Sequence, residues 1–254
     1  MKKIKFYLVV LCLCFASVTG CSEKSSIEGV HAVRSVVDGD TVELENGEKV
    51  RYVGIDTPET MKRIGTDWVL DPEDYAVSAK ERNKTLVGVG KVRLELDTEP
   101  KDRYGRYLAY VYNADGKMIN KELVAEGLAM VYTIHPNVEH MDILLKAQEE
   151  ARLNKRGLWG TLRVISPREA PGHVGRYRAV RGAVTGVYAR NNKVILTMDG
   201  KLTIIIYRGN LEFFDQRGIY PMMYSGKNVE VVGKIEDKGG PRIVIDNPSQ
   251  IRAI

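Results

Sequence analysis

Two glycine turns, Asp38-Gly39 and Asn46-Gly47, each set between short runs rich in β-branched residues, constrain this chain more than any other feature. Asn-Gly supplies the positive φ that a tight two-residue connection requires, so the flanking runs must pair antiparallel. Those runs are Val33 to Val37, Thr41-Val42-Glu43-Leu44 and Val50-Arg51-Tyr52-Val53. Two further strands are predicted at Lys91 to Asp97 and Arg106 to Tyr112, ahead of another turn at Asp115-Gly116. Residues 57–71 read as a loop, and Asp71-Pro72-Glu73 as a helix start that runs to about Val87. Ile119 to Glu126 reads as a helix stopped by Gly127. Val138 to Asn154 places Met141, Leu144, Leu145, Gln148 and Ala151 on one helical face. The expected layout is α+β, a mostly antiparallel β-barrel with packed helices.

A second unit is expected downstream. Pro167, Pro171, Gly172 and Gly175 mark residues 163–175 as a linker between domains at 30–162 and 176–254. Strands are predicted at Tyr177–Tyr188, Lys193–Met198, Leu202–Tyr207, Asn228–Ile235 and Arg242–Ile245, with a helical turn at Leu211–Arg217. That order suggests a small Greek-key barrel of the OB type.

The first residues read as an export signal. Lys2, Lys3 and Lys5 precede the uncharged apolar run Phe6 to Val18, too short to span a membrane comfortably. Val18-Thr19-Gly20-Cys21 resembles the lipobox of bacterial lipoproteins, in which the cysteine is acylated and becomes the first mature residue. An ordinary signal peptide with a chance cysteine is the alternative. Residues 1–20 would be removed, taking Cys12 and Cys14 with them, and 21–29 would form a polar tether. The mature chain then keeps Cys21 alone, which excludes a disulfide or a thiolate metal site in the folded part. The expected location is extracytoplasmic, with the chain held to a membrane through Cys21.

Charge is unevenly spread. Residues 30–164 carry 20 basic and 23 acidic side chains, whereas residues 165–254 carry 14 and 8. The second unit, with Arg176, Arg178, Arg181, Arg190 and Lys193 near its first strands, is expected to bind single-stranded nucleic acid. A solvated basic face is the bland alternative. Tyr207, Phe213, Phe214 and Tyr224 would either stack on bases or fill the core.

The chemistry concentrates in the first unit. Asp38-Gly39-Asp40-Thr41 and Asp56-Thr57-Pro58-Glu59 each set carboxylates at a strand end beside a turn. Taken singly, each is an ordinary turn or polar loop. Two aspartates from adjacent strands plus a backbone carbonyl would serve a hard divalent cation. Arg51 sits mid-strand, and Asp102-Arg103-Tyr104-Gly105-Arg106 offers a second basic cluster. Two arginines, one metal and one carboxylate near a water meet the needs of phosphodiester cleavage. The arginine fork suits paired phosphate oxygens better than lysine does.

Together, Val37 to Val42, Arg51, Asp56 to Thr60, Tyr104-Gly105-Arg106, Leu108-Ala109-Tyr110 and Gly127-Leu128-Ala129 resemble the thermonuclease, or staphylococcal nuclease-like, family over roughly residues 31–160. The resemblance implies an OB-type barrel with packed helices and calcium-dependent hydrolysis of DNA and RNA. By position it implies that Asp40, Asp56 and the Thr57 carbonyl bind Ca2+. Glu59 would act on the attacking water as base or orienter, and Arg51 and Arg106 would stabilise the transition state. Arg103 and Tyr104 match positions that contact the terminal phosphate and sugar. The chain departs from the family after Gly127, where Tyr132-Thr133-Ile134-His135 leaves Tyr132 as the base contact, and in the loop Met61–Asp71.

Other chemistries are poorly served. His31, His135, His140 and His173 are scattered, without the pairing of a zinc hydrolase. Ser166, Ser225 and Ser249 lack a nucleophile elbow. The rival readings are a non-catalytic nucleic-acid-binding module and a surface scaffold whose second barrel binds protein or glycan. A monomer is expected, with no protein partner evident.

Overall fold

The glycine turns seed a closed barrel. In the computed structural model, which describes residues 27–64 and 66–254, β1 (Gly29–Asp38), β2 (Thr41–Leu44) and β3 (Lys49–Tyr52) form the predicted meander. Cys21 and the expected export signal lie outside the described residues. A short β4 (Ile55–Asp56) and the hairpin β5 (Met61–Ile64) and β6 (Asp67–Leu70) lead to helix α1 (Ala76–Val87). β7 (Lys91–Lys101) and β8 (Tyr107–Tyr112) close the ring in the order β1-β2-β3-β8-β7, with β3 and β8 parallel. Helix α2 (Ile119–Ala125), β9 (Met130–Val131), α3 (Met141–Leu153) and α4 (Leu158–Thr161) complete this unit.

Val42, Val50, Leu94 and Val111 fill the barrel, and Ile119, Leu123 and Leu144 cover it from the helices. Each such fully buried aliphatic side chain contributes about 1.5–3 kcal/mol. Gly127 ends α2 with φ +70, and a Cβ there would strike the Arg156 carbonyl.

Two expectations give way here. Residues 61–70 form the β5–β6 hairpin rather than a loop. Helix α1 starts after Tyr75, which has φ 70, and not at Asp71 and Pro72. The cause is Glu73: its N–H donates to the Glu59 carbonyl at 2.9 Å and its carboxylate accepts from the Glu59 N–H at 3.2 Å. Those bonds tie residues 71–75 to the loop before them.

The second unit is also a closed ring. β11 (Tyr177–Arg190), β12 (Lys193–Met198), β13 (Leu202–Tyr207), β15 (Pro241–Val244) and β14 (Asn228–Asp237) follow one another, and β14 returns to β11. α5 (Leu211–Asp215) lies between β13 and β14, as expected. β10 (Val164–Ile165) and β16 (Ile251–Ala253) extend the sheet at its edges. Within residues 163–175, β10 pairs with β11, and Ala170 is fully buried.

The barrels meet over a shared apolar patch of Met130 and Leu158 against Ala179 and Val232. Phe213 reaches into the first core. Polar ties surround the patch: Gln148 Nε2 donates to Ser249 Oγ at 2.9 Å, and Arg217 pairs with Asp142 at 2.6 Å.

Candidate active site

Asp40, Arg51, Asp56 and Thr57 gather where β2 begins and β3 and β4 end. Gly39 lets this happen, because a Cβ there would lie 2.6 Å from Thr57 Oγ1 and 2.8 Å from the Ala79 methyl. With no side chain in the way, Thr57 closes on the turn. Its N–H and hydroxyl donate to Asp40 Oδ2 at 2.9 and 3.0 Å. Thr41, which also donates to Asp40, is the register partner of Arg51, so strand pairing delivers Arg51 to the same end of the barrel. Arg51 Nη1 lies 2.7 Å from Asp40 Oδ2, and Nη2 lies 2.8 Å from Asp56 Oδ1. Nη1 also donates to the carbonyl of Ile55 at 2.9 Å. The guanidinium is thus fixed between the two carboxylates.

Burial governs the electrostatics. It pushes Asp40 up to about 6 against the pull of Arg51, helped by Asp38. It raises Asp56 as well, again opposed by Arg51. Glu59 rises to about 7, from desolvation first and then from Asp40, Asp38 and Asp56, with Lys234 pulling the other way. Glu59 is an exposed residue whose carboxyl still feels Asp40, Asp38 and Asp56. Asp38, Asp40, Asp56 and Glu59 all act on the Arg51 guanidinium, which bridges two of them, while Lys234 is a weaker cation for Asp56 and Glu59. A hard oxygen donor set with surplus negative charge fits a divalent cation.

The second basic cluster is built by Asp102. Its carboxylate accepts from the Tyr104 and Arg106 N–H groups at 2.9 and 3.0 Å and from Arg106 Nε at 2.8 Å, wrapping the turn through Gly105. Arg103 Nη2 donates to the Tyr104 hydroxyl at 2.7 Å, and its guanidinium lies over the same ring. Arg51, Arg103, Tyr104, Arg106 and Tyr132 line one cavity of about 430 Å³. Asp40, Arg51, Asp56 and Thr57 are therefore brought into direct contact, and Arg103, Tyr104, Arg106 and Tyr132 share a cavity with Arg51. Glu59 lines a neighbouring hollow with Glu73 and Lys234.

One acid–imidazole group lies elsewhere. Glu95, Glu139 and His140 bring ligand atoms within 4.8 Å of one another, the one such set among the described residues. His140 Nε2 sits 2.6 Å from Glu95 Oε1 and edge-on to Tyr110, which makes the group a brace between β7 and α3.

Sequence reasoning missed the second barrel's part in the site. The Tyr177 hydroxyl donates to Asp56 Oδ2 at 2.6 Å, and Lys234 pairs with Glu73, the residue that clasps Glu59. No local motif marks either residue. Partners that orient a metal-binding carboxylate are typically worth 10–100-fold in affinity. Tyr177→Phe is therefore expected to weaken divalent-cation binding by roughly that factor, read by titration calorimetry. Unaltered affinity would make the bond incidental.

Most of the second barrel's aromatic candidates take the core alternative. Phe213, Phe214 and Tyr224 are core residues, whereas Tyr207 is 38% exposed. Arg181 is paired with Glu230, and Arg176 with Asp74. Each of these two arginines is thus held by an acid.

Against known proteins, the description "Staphylococcal nuclease homologue" matches residues 49–161. The chain is 37% identical over 158 residues to the thermonuclease of Staphylococcus intermedius, covering 60% of this chain and 90% of that protein. It is 41% identical over 155 residues to the SPbeta prophage-derived endonuclease YokF of Bacillus subtilis, covering 59% of this chain, and 42% identical over 128 residues to the endonuclease YncB of the same organism, covering 48%. The alignments span 50% of YokF and 58% of YncB, so the chain matches about half the length of these two relatives. With most of a thermonuclease covered at this identity, and with the barrel and the Asp40–Arg51–Asp56 cluster in place, the chain belongs to the staphylococcal nuclease homologue family.

Proposed function

We propose that this protein is a calcium-dependent nuclease that hydrolyses phosphodiester bonds of DNA or RNA by in-line attack of water. The observation that carries the reading is the clamped Arg51, held by Asp40 and Asp56 at the mouth of a cavity it shares with Arg103, Tyr104 and Arg106. Asp40, Asp56 and the Thr57 carbonyl would hold the cation. When bound, Ca2+ supplies positive charge to a phosphate oxygen and to the attacking water. Arg51 and Arg106 donate to the equatorial phosphate oxygens as charge builds on them. Arg103 and Tyr104 hold the neighbouring phosphate and sugar, and Tyr132 takes the base. Glu59 holds the water and takes its proton; a carboxyl lifted to about 7 accepts a proton readily near neutral pH.

The deciding experiment incubates plasmid DNA with the protein in calcium or in excess chelator. Cleavage in calcium only, lost in Asp40→Ala, is expected. Undiminished cleavage in chelator would remove the metal from the scheme. Glu59→Gln should lower kcat by roughly 10²-fold or more.

The lipobox-like Val18-Thr19-Gly20-Cys21 supports an extracytoplasmic protein anchored through acylated Cys21. Cys21→Ser should leave a soluble or unprocessed species with its nuclease activity intact. Mass spectrometry finding Cys21 unmodified in membrane-purified protein would end that proposal.

A further inference from the structure

A second groove, of about 530 Å³, runs from Asp56 along the junction of the two barrels. Arg103 and Tyr132 line both it and the catalytic cavity, so the two spaces adjoin. The opposite wall belongs to the second barrel: Tyr207 at the end of β13, Lys234 on β14, Lys238 in the following turn and Arg242 on β15. We propose that this groove carries a single strand of nucleic acid beyond the cleavage site. The inference rests on the nuclease reading and extends the substrate site onto the second barrel.

Three observations favour a strand. First, aromatic rings stand on both walls: Tyr132 and Tyr207 are each 38% exposed, whereas Phe214 and Tyr224 of the same barrel are buried. Exposed rings beside a basic track offer stacking platforms to unpaired bases, which a duplex keeps to itself. Second, the cations of the wall are held in place. Glu236 fixes Arg242 through Nε at 3.0 Å and Nη2 at 2.8 Å, and Glu73 holds Lys234. Lys238 stands exposed at the rim. Third, the acids on the floor are already answered. Asp56 is engaged by Arg51 and Tyr177, and Glu236 by Arg242. Burial and Asp56 keep the Asp246 carboxyl raised to about 8. The phosphates of a strand therefore meet Arg103 and Lys238 without a facing unpaired carboxylate.

The track differs from the one expected of the basic residues on the first strands of the second barrel. It places binding on the face that opens onto the catalytic cavity, where a bound strand is also a substrate.

The test measures binding of a labelled single strand of about 12 nucleotides, within the ~4–16 nucleotides that such a barrel contacts, to the full chain in excess chelator. Lys238→Ala and Tyr207→Ala are each expected to weaken binding about 5- to 10-fold, with melting temperatures unchanged. Lys238→Ala should also flatten the salt dependence by roughly 0.7 in log–log slope, the loss of one phosphate contact on a single strand. In calcium, the KM for the same strand should rise while kcat and the KM for a dinucleotide stay at wild-type values. Equal binding by wild type and both variants would overturn the proposal, as would an equal loss on strand and dinucleotide. Displacement of the strand by an acidic peptide as readily as by unlabelled strand would also overturn it. Binding is read in chelator, so failure of cleavage bears on the nuclease reading and leaves this result standing.

Discussion

Arg51→Ala is expected to lower kcat by roughly 10²–10³-fold with a much smaller change in KM. The guanidinium is fixed before substrate arrives, by Asp40 at 2.7 Å, Asp56 at 2.8 Å and the Ile55 carbonyl at 2.9 Å. A donor already aimed needs little reorganisation when charge develops, and its loss appears at the chemical step. The same change has a second effect, on stability. It leaves buried Asp40 and half-buried Asp56 close together without the guanidinium between them, and breaking a buried pair costs about 3–5 kcal/mol. The metal-free variant should therefore melt well below wild type at neutral pH, and added calcium should recover much of the deficit. Arg51→Lys should restore more of the stability than of the rate, because an ammonium supplies charge without the fork. A loss confined to KM would recast Arg51 as a binding group.

Asp246→Asn is expected to stabilise the protein at alkaline pH and to leave it nearly unchanged near pH 4. Burial, then Asp56 and Glu236, lift the Asp246 carboxyl from 3.8 to about 8, against a weak pull from Asn210. The sign follows from proton counting. Between those values the unfolded chain gives up the proton and the folded chain keeps it, so stability falls as pH rises through this range. Above about 8 the folded chain carries the charge too, and the penalty is complete. Asparagine keeps an acceptor for the Asn210 amide, which lies 3.4 Å from Asp246 Oδ1, and removes the titration. Each pKa unit corresponds to about 1.4 kcal/mol, so half the shift would still move the melting temperature by several degrees. Melting curves across pH in chelator read the effect. Parallel curves for the two proteins would mean that Asp246 ionises without strain.

Much of the first barrel could be read from sequence because its signals are local. Asn46-Gly47 sets a hairpin register, and that register puts Arg51 opposite Thr41 beside Asp40. The start of α1 was misread because Asp71-Pro72 has the composition of a cap, while the chain there is committed to Glu59 through Glu73. The β5–β6 hairpin was missed because Met61–Ile64 and Asp67–Leu70 flank Gly65 without the alternation of a half-buried strand. In the second barrel the strand pattern was legible, but the fate of its arginines was not. Arg181 and Arg252 converge on Glu230 through pairing between β11, β14 and β16, a coincidence of distant strands. Tyr177 is the extreme case, since nothing within its own segment points to Asp56.

The hydrogen bond between Tyr177 and Asp56 joins residues 121 positions apart. Synthesis proceeds from the amino terminus, and domains generally fold as they emerge. Every residue of the Asp40–Arg51–Asp56 cluster is therefore made long before the hydroxyl that completes it. The pocket cannot take its final form until β11 has been made and has docked.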